Sequence, residues 1–271
     1  MDSERSPASL TGRVGPGHVV ICNVNEKVRA IVEQLQNAPG EDAGDIVVIV
    51  QDDNLWESNP SWHPAKDGRG RVFYVPGCPA ESEILRRASI SRAKTAIILA
   101  DPNHGSLADA RSALIGISIE RENPQVHTVM ELILSVNRNS LRATAVDDVV
   151  CIGELSEKLL SQSAITPGVS KLFAYLLCTK TGSAQLFIRT IPNALEGRTY
   201  RDLARKAIQV TAPFVVCGFI RRTTPEGTHP CKRELVLNPR VNTEPGKDSA
   251  LGTQDDLILL ASRSPDLSLL V

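Results

Sequence analysis

The sequence predicts an α/β protein in which a doubly wound parallel sheet is followed by a pair of helices and then by a small α+β domain. Three observations carry this. Short runs rich in valine and isoleucine alternate with amphipathic segments from His18 to Ile152, as they do when strands are covered on both faces by helices. After residue 153 the texture changes to two helical segments broken at Thr166-Pro167-Gly168. From Gly182 onward short strands predominate, with spacings that suit mainly antiparallel pairing.

The elements follow in order. Residues 1–17 are rich in Ser, Pro and Gly without periodicity, so a flexible lead-in is expected. The first strand is expected at Val19–Cys22. Val28, Ile31, Val32 and Leu35 then recur at helical spacing, with Asn25 placed to cap the helix. Strands are expected at Ile46–Val50 and Val72–Val75, a helix at Glu81–Ala88 and a strand at Thr95–Ala100. Ala110, Ala113, Leu114 and Ile117 mark the expected apolar face of the next helix. Val126–Met130 and Val149–Ile152 supply two more strands around a short helix at Asn137–Ala143. The polar stretch Asp52–Arg71 reads as a long loop whose Trp56 and Trp62 either pin it to its domain or meet a partner.

Beyond residue 153, helices are expected at Glu154–Ser163 and Pro167–Cys178, with proline tolerated in the first turn. Strands at Gln185–Arg189, Pro213–Ile220, Glu234–Leu237 and Asp256–Leu260 and a helix at Tyr200–Ala207 complete the chain. The expected division is residues 1–17, 18–153, 154–180 and 181–271.

With 271 residues and 42% hydrophobic content the chain can bury a substantial core. A net charge of -1 argues against nucleic acid as a partner. The six cysteines form no CxxC pair and most sit in apolar runs, which predicts reduced thiols in a cytoplasmic chain. No apolar stretch approaches the roughly 20 residues of a membrane span, and Met1–Thr11 lacks the apolar core of a signal peptide. His229-Pro230-Cys231 holds two metal-ligand types without a second pair at zinc spacing.

In such a sheet ligands settle outside the carboxyl ends of the strands. Cys22, Asn23, Val24, Asn25, Glu26, Asp52, Asp53, Gly77, Cys78 and Asp101 are therefore the expected ligand-binding residues, with Glu131 beside them. Glycines of a dinucleotide turn are wanted between Cys22 and Lys27, and none of the six residues is glycine. Asn23 and Asn25 can bind an anion through their amides or serve as caps. Asp52 or Asp53 stands where an acid accepts from a ribose hydroxyl, or is a solvated turn acid. Glu131 is a candidate cation ligand or half of an ion pair. Arg198, Arg201, Arg205 and Lys206 form a basic helix face or a phosphate site. His104 and His127 stand without a recognisable nucleophile or orienting acid, and no catalytic triad is visible.

Several segments together resemble the RCK (regulator of potassium conductance) or TrkA family over residues 18–261. They are His18–Cys22, Val75-Pro76-Gly77-Cys78-Pro79, Ala88–Leu99, the helix pair around Thr166-Pro167-Gly168, Leu195–Leu203 and Asp255–Leu260. The resemblance implies a Rossmann-like first domain, crossover helices that exchange between subunits to make a homodimer, and a TrkA-C-like second domain. It further implies assembly into a higher ring and a regulatory, non-enzymatic role in gating a potassium channel or transporter at the inner face of the membrane. The effector it implies is an adenine nucleotide or dinucleotide, with a divalent cation the weaker alternative. Calcium-gated members carry a carboxylate where Cys78 stands and a second acid where Ile133 stands, so Glu131 alone survives of that set. A ligand-free scaffold and a nicotinamide-dependent oxidoreductase are the competing readings.

Overall fold

The computed structural model describes residues 10, 12–37, 44–63, 70–138, 141, 146–178, 183–223, 232–239 and 250–271. The chain parts into two compact units, Met1–Ser170 and Lys171–Val271. The division falls inside the helix pair, ahead of the boundary expected near residue 180. His229-Pro230-Cys231 lies outside the described residues.

Six parallel strands build the first unit: β1 (Val19–Cys22), β2 (Ile46–Val50), β3 (Val72–Pro76), β4 (Thr95–Ile98), β5 (His127–Leu132) and β6 (Asp148–Cys151). Their order is β3-β2-β1-β4-β5-β6, so the chain reverses its direction of winding between β1 and β4. In-register pairs such as Ile21 with Val48 and with Ile97 fix the centre of the sheet. Every residue of β1 and β2 is buried, as a strand covered on both faces requires. Two apolar clusters flank the sheet. One gathers Val20, Ile49, Val75, Leu85, Ile98, Ile115 and Met130, the other Ile21, Val28, Val32, Val48 and Trp56.

Helices α1 (Val28–Gln36), α2 (Asp53–Ser58), α3 (Ser82–Arg87), α4 (Ala108–Glu122) and α5 (Ile152–Ile165) accompany the sheet. Three expectations are corrected. Residues 1–17 are not wholly a lead-in, because Leu10 and Val14 are buried in the first cluster and the Leu10 N–H donates to Arg87 O at 3.0 Å. The stretch after Asp52 is not simply a loop: α2 and a 3₁₀ turn at Pro60–Trp62 occupy it. Trp56 stacks on His63 and meets Tyr74, with ring centroids 4.2 and 5.3 Å away.

The third correction concerns α4. Its core-facing residues include Ala108, Ser112, Ile115 and Ile119, while Leu114 and Ile117 remain 55% and 52% exposed. The helix is apolar on two sides, and of the residues expected on its packed face only Ala113 meets the core cluster. Gly116 allows the close fit, since a Cβ there would lie 2.8 Å from Val146 Cγ2. Asp109, in the first turn, is buried and accepts from the Ile133 and Leu134 N–H groups and the Asn137 amide at 2.8, 3.1 and 2.8 Å. It fastens the loop leaving β5 to the start of α4.

Helix α6 (Val169–Leu176) spans the division between the units, and neither α5 nor α6 has a buried residue. In the second unit the strands β7 (Gln185–Thr190), β8 (Val215–Thr223), β9 (Lys232–Leu237) and β10 (Asp256–Ala261) form an antiparallel sheet in the order β7-β10-β8-β9. Helix α7 (Tyr200–Ala207) begins at Thr199, whose Oγ1 accepts from the Asp202 N–H. It buries Leu203 and Ala207 against Phe214, Phe219, Leu257 and Leu259. Gly218 is required where β8 meets β9, because a Cβ there would stand 2.1 Å from Val236 O.

Candidate functional site

A cleft of about 460 Å³ opens where the exits of β1, β2 and β4 meet, at the reversal of the sheet. Asn23, Val24, Gln51, Asp52, Asp53, Asn54, Asp101, Asn103 and His104 line it. The fold brings five of the expected residues together here: Asn23, Val24, Asp52, Asp53 and Asp101. Gln51, Asn54 and Asn103 are additions that the sequence reading missed, and His104, considered there only for catalysis, joins them; each lies within three positions of an expected residue. Chain proximity to the strand-exit acids was the available signal.

The turn after β1 is built without glycine. Asn23 adopts the left-handed conformation, with φ of 66°, which asparagine tolerates better than other side chains that carry a Cβ. Its amide donates to Leu99 O at 2.9 Å. Asn25 is also buried; its amide donates to Ala100 O at 2.9 Å and its Oδ1 accepts from the Lys27 N–H at 2.9 Å. The Asn25 carbonyl accepts from the Val28 N–H at 3.2 Å. Both asparagine amides therefore stitch the exit of β1 to the exit of β4, and two N–H groups at the start of α1 already have partners.

The charges around the cleft are negative. Asp52, Asp53 and Asp101 line it and no lysine or arginine does. Asp101 Oδ1 accepts from the Asn103 N–H at 3.0 Å. His104 Nδ1 stands 2.8 Å from Asp101 Oδ2, within reach of an ion pair but out of line for a hydrogen bond. His104, which the sequence shows without an orienting acid, thus has a carboxylate beside it.

The other expected residues serve elsewhere. Cys22 is buried in the core cluster, and burial, with a smaller contribution from Cys78, pushes its thiol up to about 12. Gly77 holds a φ of 138° and a Cβ there would meet Ile84 Cδ1 at 2.4 Å, so its role is close packing of the chain leaving β3. Cys78 is partly exposed and Glu26 exposed, and neither lines the cleft. Glu131 is buried: Oε1 pairs with Lys27 Nζ and Oε2 accepts from the Ala100 N–H at 3.1 Å. The carboxylate expected as a cation ligand is spent on an ion pair and a backbone donor. Among the described residues no group of three His, Cys, Asp or Glu side chains is arranged to hold a metal ion.

Residues 15–130 match the model of the calcium-activated potassium channel slowpoke-like RCK domain family. Residues 15–130 form an RCK domain. Similarity to whole channels extends beyond it. The chain is 25% identical over 254 residues to the calcium-gated potassium channel TvoK of Thermoplasma volcanium, covering 92% of this chain and 64% of that one. It is 22% identical over 192 residues to the ion channel POLLUX of Lotus japonicus, covering 69% of this chain and 21% of the relative. It therefore spans less than two thirds of these relatives. The human SLO3 gating ring shares the fold with a TM-score of 0.61 at 15% identity, over 91% of this chain and 44% of that structure.

Sheets of this order seat a dinucleotide's pyrophosphate on the turn after β1 and the start of the first helix. That seat in this RCK domain does not fit the group. Asn23 stands in the turn with its amide engaged, the Lys27 and Val28 N–H groups are taken by Asn25, and Lys27 is paired with Glu131. Three carboxylates line the adjoining cleft and would repel phosphate.

Proposed function

We propose that this chain is a non-enzymatic gating module of a potassium channel or transporter, in which copies assemble and an effector in the β1–β4 cleft shifts the assembly between two arrangements. The observation that carries the reading is the RCK domain at residues 15–130 within a similarity that runs along 92% of the chain to a calcium-gated potassium channel. A ligand that prefers one arrangement shifts the population by its differential affinity, and the pore feels that shift as force.

Two surfaces support assembly. Helices α5 and α6 leave Leu155, Leu160, Ile165, Leu172, Phe173 and Tyr175 exposed, which suits exchange of these helices in a homodimer. The outer side of α4 and the loop after β5 expose Leu107, Leu114, Ile117, Ile133, Leu134 and Val136, which suits a further contact that extends dimers into a ring. With a pore segment or membrane partner attached, such an assembly sits in the cytoplasm. Among the described residues no helix is long and apolar enough to cross a membrane.

The acceptors Asp52, Asp53 and Asp101 suit an effector that enters by hydroxyl groups, as the ribose of an adenine nucleotide does, with its phosphate facing solvent. Calcium is not proposed, because Glu131 is already engaged. The asparagine stitches favour one second reading, a scaffold that assembles without a ligand.

The test is co-reconstitution of the chain with its potassium-conducting membrane partner in liposomes, reading potassium flux with and without adenosine or AMP. Flux that changes with the nucleoside in wild type and not in Asp52→Ala supports gating. Assembly with ligand-independent flux supports the scaffold. A chain that stays monomeric and leaves flux unaltered overturns both.

A further inference from the structure

We infer that the pyrophosphate seat of this sheet is filled by the chain's own side chains, which brace the strand exits so that no dinucleotide is held there. The observation lies in the continuity of one network. Glu131, from β5, joins Lys27 at the start of α1 through one oxygen and the Ala100 N–H beyond β4 through the other. Asn25 closes the circuit, donating to the carbonyl of that same Ala100 and accepting from the N–H of that same Lys27. Asn23 adds a parallel stitch to Leu99 O.

Each member occupies a role that a bound dinucleotide would otherwise need. A pyrophosphate takes N–H donors from the helix start and a close backbone approach at the turn. Here the Lys27 and Val28 N–H groups go to Asn25, and the turn carries a side chain. A lysine at this position is the natural cation for a phosphate, yet Lys27 is neutralised by a buried carboxylate. Displacing it would strand that carboxylate without its counter-charge, which is costly in a buried site. Entry of the ligand would therefore have to break contacts that hold the exits of β1, β4 and β5 together. The inference concerns the β1 turn alone and stands apart from the gating reading, which needs only an effector in the acidic half of the cleft.

Two measurements on the full chain test it. Calorimetric titration with NAD and with inorganic pyrophosphate at fixed ionic strength should show no binding at concentrations up to about ten times those at which cellular dinucleotide sites saturate. Saturable binding of either, lost on Asn25→Gly, overturns the inference. Thermal unfolding of Lys27→Met, Glu131→Gln and the double variant reads the brace. Each single variant should lower the midpoint by at least about 2 °C. The double variant should fall no further than the worse single one, as expected for groups acting as a unit. Unchanged midpoints, or losses that add, overturn the brace. Glu131→Gln keeps an acceptor for the Ala100 N–H, so its folding does not hinge on that contact.

Discussion

Replacing Asp109 by alanine removes a buried carboxylate that holds three donors at once: the N–H groups of Ile133 and Leu134 and the amide of Asn137. A hydrogen bond to a charged group contributes roughly 1.5–3 kcal/mol. The loop is partly open to solvent, with Ile133 and Leu134 41% and 45% exposed, so its freed donors regain water. The carboxylate also sits in the first turn of α4, where the helix dipole favours a negative charge by a few tenths to about 1 kcal/mol. Discounting for rehydration, the loss comes to about 3 kcal/mol. In a unit of this size 1 kcal/mol moves the midpoint by roughly 2–4 °C, so a fall of about 6–12 °C is expected for the first unit. Calorimetry measures it, and amide exchange at Ile133 and Leu134 should accelerate in the same variant. Asp109→Asn, which keeps one acceptor oxygen, should fall by less. A midpoint within about 1 °C of wild type in Asp109→Ala, with exchange at the two amides unchanged, would refute the claim that this carboxylate holds the loop.

Burial holds the His18 imidazole below its usual 6.5, outweighing the carbonyls of Ala88 and Gly15 that face its two nitrogens. The unfolded chain takes up this proton near pH 6.5 while the folded chain resists it to lower pH, so stability falls as pH drops below that value. His18→Gln should flatten the stability profile between about pH 7 and pH 5, and chemical denaturation across that range is the check; an identical slope would sink the assignment. The buried Cys22 thiol, pushed up to about 12, should resist iodoacetamide in the folded chain while the partly exposed Cys78 reacts. Peptide mass mapping distinguishes the two, and equal labelling rates under native conditions contradict the burial argument.

The two fully buried strands of the first unit were the most legible, because their burial shows directly as composition: Val19–Cys22 and Ile46–Val50 contain no polar residue except a thiol. The cleft acids were legible for a related reason. A parallel sheet puts every strand exit on one edge, so Asp52, Asp53 and Asp101 had to gather once the strands were placed. The core face of α4 was not legible, because its periodicity supports two stripes and the sheet takes the one interrupted by Ser112. Nothing local distinguishes a stripe that meets the sheet from one that meets another surface.

The state of the β1 turn was only half legible, and the missing half decides the chemistry. Absence of glycine between Cys22 and Lys27 shows that the usual phosphate turn is gone, but not what replaces it. The replacements join residues 75 and 104 positions apart, Asn25 to Ala100 and Lys27 to Glu131. No window along the chain contains both ends of either contact. Read singly, Asn25 is an anion binder or a cap and Glu131 a cation ligand or half of an ion pair, while Lys27 draws no reading of its own. Only the meeting of Asn25 and Glu131 on the two backbone groups of Ala100, with Lys27 joined to both, turns three ordinary residues into a brace. That convergence is why the gating reading proposed above places its effector in the acidic part of the cleft and not at the turn.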